Sequence, residues 1–243
     1  MSPEFMSMFD VVIQLGAILA VVVLFFPQLW PFGKKNNKVP FKTDGWGAYI
    51  KKDIFIMWFK IVVACIPGIL MIPFLDFFEE KFYNPVSVSL ALIIFGILFI
   101  VIERWNKTRT PKFTDIDTLP FSIALYIGLF QILAMVFPGT SRSGATILGA
   151  LLLGVSRQTA ASFTFFLAIP VMAGASLIKL LDFGLSFTSS ELIVLLIGSI
   201  SAFVVSILVI RFLLSYIRKH DFEVFGWYRI VLGVIVLVYF AFA

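Results

Sequence analysis

A polar interruption in an apolar background constrains this chain more than any other feature. Pro138-Gly139-Thr140-Ser141-Arg142-Ser143-Gly144-Ala145-Thr146 sits between two apolar runs, residues 121–137 and 147–155. The setting of these runs is a bilayer. The chain has 243 residues, 60% of them hydrophobic and only 14% charged, and a mean hydropathy of +1.04. A soluble domain of this size needs more polar surface, so the sequence predicts an all-α polytopic membrane protein. An arginine at membrane depth is costly and is usually kept for a ligand or an ion path. Neither flank reaches the roughly 20 apolar residues of a full helical span. Two short helices meeting at a Pro-Gly break predict a re-entrant hairpin, about residues 119–156. Irregular backbone is tolerated at that depth only inside protein or beside a wet cavity.

The interruption has a chemical use. Ser141 or Ser143 can cap the helix that follows, whose first backbone N–H groups and dipole then point at the break. Gly139 and Gly144 let a ligand approach the backbone closely. Arg142 adds a planar fork of donors suited to phosphate oxygens. These parts together predict an anion site, most naturally for phosphate. Arg142 is the first candidate for catalysis, with Ser141 and Ser143 beside it; a structural ion pair is the alternative for the arginine. Thr140, Thr146 and Gln131 complete the binding set. For the hydroxyls capping is the alternative, and for Gln131 a hydrogen bond to a neighbouring helix.

Six full spans are predicted, over residues 9–26, 54–75, 85–102, 159–181, 192–214 and 227–243. The second is bent near Pro67-Gly68 and the fourth holds Pro170. Residues 1–8 read as a cloning scar or shortened start, with a second start at Met6, and are set aside. The remainder, 9–243, reads as one membrane domain. Asp76, Glu79, Glu80 and Lys81 form an acidic loop. Lys34, Lys35, Lys38, Lys42, Arg104, Lys107, Arg109, Lys112, Arg157, Arg218 and Lys219 fall in alternate loops. The positive-inside rule puts those in the cytoplasm, and the net charge of +5 reflects them rather than affinity for nucleic acid. Lys60 and Lys179 are expected to snorkel. The single Cys65 lies in an apolar run and leaves no cysteine-based metal site. Asp10 and Gln14, one turn apart, are weaker site candidates.

A faint echo links residues 9–20 with residues 163–174, which are predicted to run in opposite directions. That is the mark of an inverted-topology repeat with its site near the midplane. In the second copy the polar loop precedes Phe163, so its counterpart belongs upstream of Phe9.

The stretch 138–146, with Gly154-Val155-Ser156-Arg157 after it and Phe9-Asp10-Val11-Val12-Ile13-Gln14-Leu15-Gly16 near the start, resembles the undecaprenyl-pyrophosphate phosphatase (bacitracin-resistance) family from about Phe9 onward. The resemblance implies six spans with two re-entrant hairpins. It implies removal of one phosphate from a polyprenyl pyrophosphate lipid, at a site opening outward from the bacterial inner membrane. It also implies Mg²⁺ or Ca²⁺ at the pyrophosphate, and a homodimer is expected. The family's first motif, a Glu-rich segment with a Ser-Ser-Thr-Gly-His loop, is not seen before Phe9, so the first hairpin is expected to be missing. The only histidine, His220, reads as a solvated interfacial residue. A carrier of polyprenyl phosphate or another anion, built on the same broken helix, is the alternative function.

Overall fold

The computed structural model describes residues 2–33, 40, 49–184 and 186–242. Lys34, Lys35, Lys38 and Lys42 lie outside them. The described residues form helices without a named strand. Six helical segments are long and apolar enough to cross a membrane: Pro3–Leu24, Lys52–Phe82, Pro85–Asn106, Arg157–Phe183, Ser189–Ile217 and Glu223–Phe242. The chain divides into two compact units, residues 1–55 with 165–215, and residues 56–164 with 216–243.

The first unit holds α1 (Pro3–Val12), α2 (Gln14–Leu24) and the short α3 (Phe26–Leu29). Its first span starts earlier than expected, and residues 3–8 belong to it. Ser2 caps α1 by accepting from the Phe5 N–H at 3.1 Å, Pro3 fills the first turn where no N–H is needed, and Glu4 offsets the helix dipole. Phe5, Met8 and Val12 recur at helical spacing and are buried against Leu180, Phe183 and Phe187. Asp10 is exposed, and Gln14 donates to its backbone carbonyl at 3.2 Å. The pair makes a local helix contact and nothing more.

The second unit carries the hairpin. α4 (Lys52–Met71) runs through Pro67 into a 3₁₀ turn (Ile72–Phe74) and then α5 (Leu75–Phe82). The stretch expected as an acidic loop is therefore helical. Its phenylalanines, Phe77 and Phe78 among them, alternate with Asp76, Glu79 and Glu80 closely enough to give an amphipathic turn. α6 (Pro85–Asn106) starts at an Asn84 cap and packs along α11 (Glu223–Phe242). The two backbones touch at facing glycines: a Cβ on Gly96 would sit 2.7 Å from the Gly226 carbonyl. Small residues permit this approach where bulk would hold the helices apart.

Between these elements lie α7 (Phe121–Val136) and α8 (Arg142–Leu152), joined by residues 137–141, and then the start of α9 (Arg157–Phe183). The hairpin closes at its base. Lys112 and Phe113 donate their N–H groups to the Gly154 carbonyl, and Ser156 donates back to the Phe113 carbonyl. Lys60 helps hold that base. It is 3% exposed and donates to the carbonyls of Ile116 and Asp117, each at 2.9 Å. It does not snorkel, because two loop carbonyls offer its ammonium partners inside the protein. Lys179, by contrast, is exposed.

Candidate functional site

The loop 137–141 is shaped by backbone conformations that few residues adopt. Gly139 has φ +93°, and a Cβ there would lie 2.7 Å from the Val88 carbonyl. Two independent reasons thus demand glycine. Ser141 has φ +64° and is the only non-glycine residue with positive φ among the described residues. Such a conformation costs on the order of 1–3 kcal/mol and persists only where surrounding structure imposes it. The reward is a cap. Ser141 Oγ accepts from the Gly144 N–H at 3.3 Å and lies 3.2 Å from Ser143 Oγ. α8 therefore begins at Arg142, with the N–H groups of its first turn facing the loop.

Arg142 is half-buried, and among the described residues its guanidinium has no hydrogen-bond or ion-pair partner. The expected alternative, a structural salt bridge, is not formed with any described residue. A guanidinium held out of water without a carboxylate is energetically poised for an anion.

A second guanidinium serves the same loop, and reasoning from the sequence passed over it. Arg229 of α11 donates from Nη1 to the Thr140 carbonyl at 2.6 Å. Its carbon lies 5.4 Å from the centre of the Phe99 ring. A Cβ on Gly144 would fall 2.8 Å from Nη2, so the missing side chain of Gly144 makes the room that Arg229 fills. The signal was present: an arginine inside an apolar closing helix is itself a mark of function.

The remaining candidates divide. Thr140 is fully buried, and its Oγ1 has no hydrogen-bond partner. An unpaired buried hydroxyl costs about 1–3 kcal/mol, so the loop carries a polar group that the described residues leave unsatisfied. Ser143 is exposed at the loop. Thr146 is turned away. Its hydroxyl lies 3.0 and 3.1 Å from the carbonyls of Arg142 and Ser143, and 3.0 Å from Thr164 Oγ1. It ties α8 to α9, so the binding role expected of it gives way to packing. Gln131 makes the hydrogen bond to a neighbouring helix that was its alternative. It is 1% exposed and donates to the Ala64 carbonyl at 2.8 Å. That carbonyl belongs to the turn of α4 disturbed by Pro67, where a side-chain donor has an acceptor to serve.

Donors on this loop are guanidinium, hydroxyl and backbone N–H, a set that fits phosphate. It does not fit Mg²⁺ or Ca²⁺, which take oxygen ligands rich in carboxylate. Among the described residues no three His, Cys, Asp or Glu side chains cluster to hold a metal. His220 stacks on Tyr216 with ring centres 4.4 Å apart and is exposed.

The family described as bacitracin resistance protein BacA matches residues 1–235. The chain is 59% identical to an undecaprenyl-diphosphatase of Lachnoclostridium phytofermentans over 243 residues, covering 100% of this chain and 85% of that protein. It is 57% identical to undecaprenyl-diphosphatase 1 of Clostridium acetobutylicum, over 97% of this chain and 83% of the relative. An undecaprenyl-diphosphatase of Enterococcus faecalis is 55% identical, over 98% and 83% respectively.

Proposed function

The chain belongs to the bacitracin resistance protein BacA family, and from that premise we propose that it hydrolyses undecaprenyl pyrophosphate to undecaprenyl phosphate and inorganic phosphate. It is a membrane phosphatase, and its reaction regenerates the carrier lipid of cell-wall synthesis and confers bacitracin resistance. The observation that carries the site assignment is the unpartnered guanidinium of Arg142 at the start of α8, with Arg229 on the same loop.

The diphosphate sits at the N-terminus of α8. Arg142 grips the phosphoryl oxygens and stabilises the negative charge that grows as the P–O bond breaks. Thr140 Oγ1, Ser141 and Ser143 supply hydroxyls to the same oxygens. Arg229 is a positioning residue, since it holds the Thr140 carbonyl and so fixes the loop. Water supplies the oxygen that leaves with inorganic phosphate, and the lipid keeps its remaining phosphate. The hairpin enters the bilayer and leaves by the same face. α8 rises about 16 Å, roughly half of a 30 Å hydrocarbon core. The basic loops face the cytoplasm of the inner membrane, and the phosphate loop opens outward.

Purified full chain in detergent or vesicles should release inorganic phosphate from undecaprenyl pyrophosphate. Arg142→Ala should lower kcat/KM by about 10²–10³, the usual loss for one charge-stabilising donor in a dry site. Near-normal turnover in that variant would overturn the role given to Arg142. No release with unchanged lipid is what a carrier would give.

A further inference from the structure

A basic cavity lies at the C-terminal end of α8. It has a volume of about 660 Å³ and is lined by the end of α6, the turn after α8 and the link between α10 (Ser189–Ile217) and α11. All of its lining residues belong to the second unit. α8 separates it from Arg142 by about 16 Å of helical rise, so it is distinct from the phosphate loop.

Six lysine and arginine side chains line this cavity. Two of them are neutralised. Arg157 donates from Nε to both oxygens of the fully buried Glu103, at 3.1 and 2.9 Å. Lys107 lies 2.7 Å from Glu223 and 3.3 Å from Asp221. The other four are Arg109, Lys112, Arg218 and Lys219, and none has an acidic partner among the described residues. Three carboxylates against six cations leave a surplus of three positive charges. The C-terminal ends of α6, α8 and α10 converge here and contribute about half a negative charge each. Their total, about −1.5, is too small to account for the surplus.

The wall is also partly apolar. Trp105 is 42% and Leu152 40% exposed, and Arg109 lies over the Trp105 ring at 3.5 Å. Tyr216 stacks on His220 nearby. Aromatic side chains with loose cations mark the level of lipid headgroups.

We infer that this cavity is a binding site for a phosphate group, separate from the reaction loop. Its ligand is either the phosphodiester of an anionic phospholipid headgroup, whose acyl chains would lie along Leu152 and Trp105, or free inorganic phosphate.

The test uses the full chain in phosphatidylcholine nanodiscs containing one part in four phosphatidylglycerol, with native mass spectrometry counting the lipids retained. A parallel arm titrates inorganic phosphate in pure phosphatidylcholine and follows thermal unfolding. The variants are Lys112→Gln with Arg218→Gln and Lys219→Gln, and, in case that triple change unfolds the chain, Arg218→Gln with Lys219→Gln alone. Preferential retention of phosphatidylglycerol that falls roughly tenfold or more in the variants, while Arg142→Ala retains it, identifies a lipid headgroup site. A phosphate-dependent rise in unfolding temperature, abolished in the variants, identifies free phosphate as the ligand. Equal retention by wild type and variants together with no response to phosphate overturns the inference.

Discussion

The two ends of α8 treat positive charge in opposite ways. At the N-terminal end, among the described residues, the half-buried Arg142 guanidinium has no partner, the Thr140 hydroxyl is buried without a hydrogen bond, and Ser141 holds a costly φ of +64°. At the C-terminal end Arg157 is locked to Glu103, and that carboxylate also accepts the Phe222 N–H at 3.1 Å. The same helix thus joins an unpartnered guanidinium at one end to a buried, satisfied ion pair at the other, and the loose cations around that pair belong to the cavity. The contrast separates residues that hold the fold from residues that await a ligand. Unsatisfied groups persist only where something other than stability maintains them.

That comparison can be broken at either end. The largest expected effect on stability is at the satisfied end. Glu103→Gln leaves Arg157 without its partner, and unfolding in detergent should show a loss of about 2–4 kcal/mol, since Arg157 is partly solvated. Arg142→Ala should show no comparable loss of stability, although its turnover falls. The next effect is smaller and opposite in sign. Thr140→Val keeps the shape and removes an unpaired hydroxyl, so stability should hold or rise by up to about 1 kcal/mol while phosphate release falls. A destabilised but fully active Thr140→Val protein would place that hydroxyl in the fold and not in the site. Lys107 gives the smallest effect. Its hydrogen bonds to Glu223, and then to Asp221, raise its pKa. A raised folded-state pKa gives a contribution that is complete below the unfolded value and lost as pH climbs through the folded one. The unfolding temperature of wild type and Lys107→Gln should therefore differ slightly but by a constant amount from pH 6 to pH 9, and converge only in strong alkali.

The sequence made the helical class and the six apolar helices legible, because apolar length leaves few alternatives, and it marked the polar break around Arg142 as the candidate site. Side-chain direction was not legible. Thr146 and Gln131 lie at helical spacing from the loop, yet one bonds Thr164 and the other bonds Ala64. Which neighbour each one meets depends on packing that no local pattern encodes. Lys60 is similar: a lysine in an apolar helix snorkels unless loop carbonyls come to it, and here those come from residues 116 and 117. Arg229 was legible in kind but not in partner, since Thr140 is 89 positions away. Residues 76–82 read as loop because charge outweighs the spacing of their phenylalanines.

The long reach between Arg229 and Thr140 has a consequence for how the protein is made. A ribosome adds about 5–20 residues per second, so the hairpin waits several seconds for the segment that braces it. During that interval the loop lacks the guanidinium that steadies it, so its geometry is set only once Arg229 has been added.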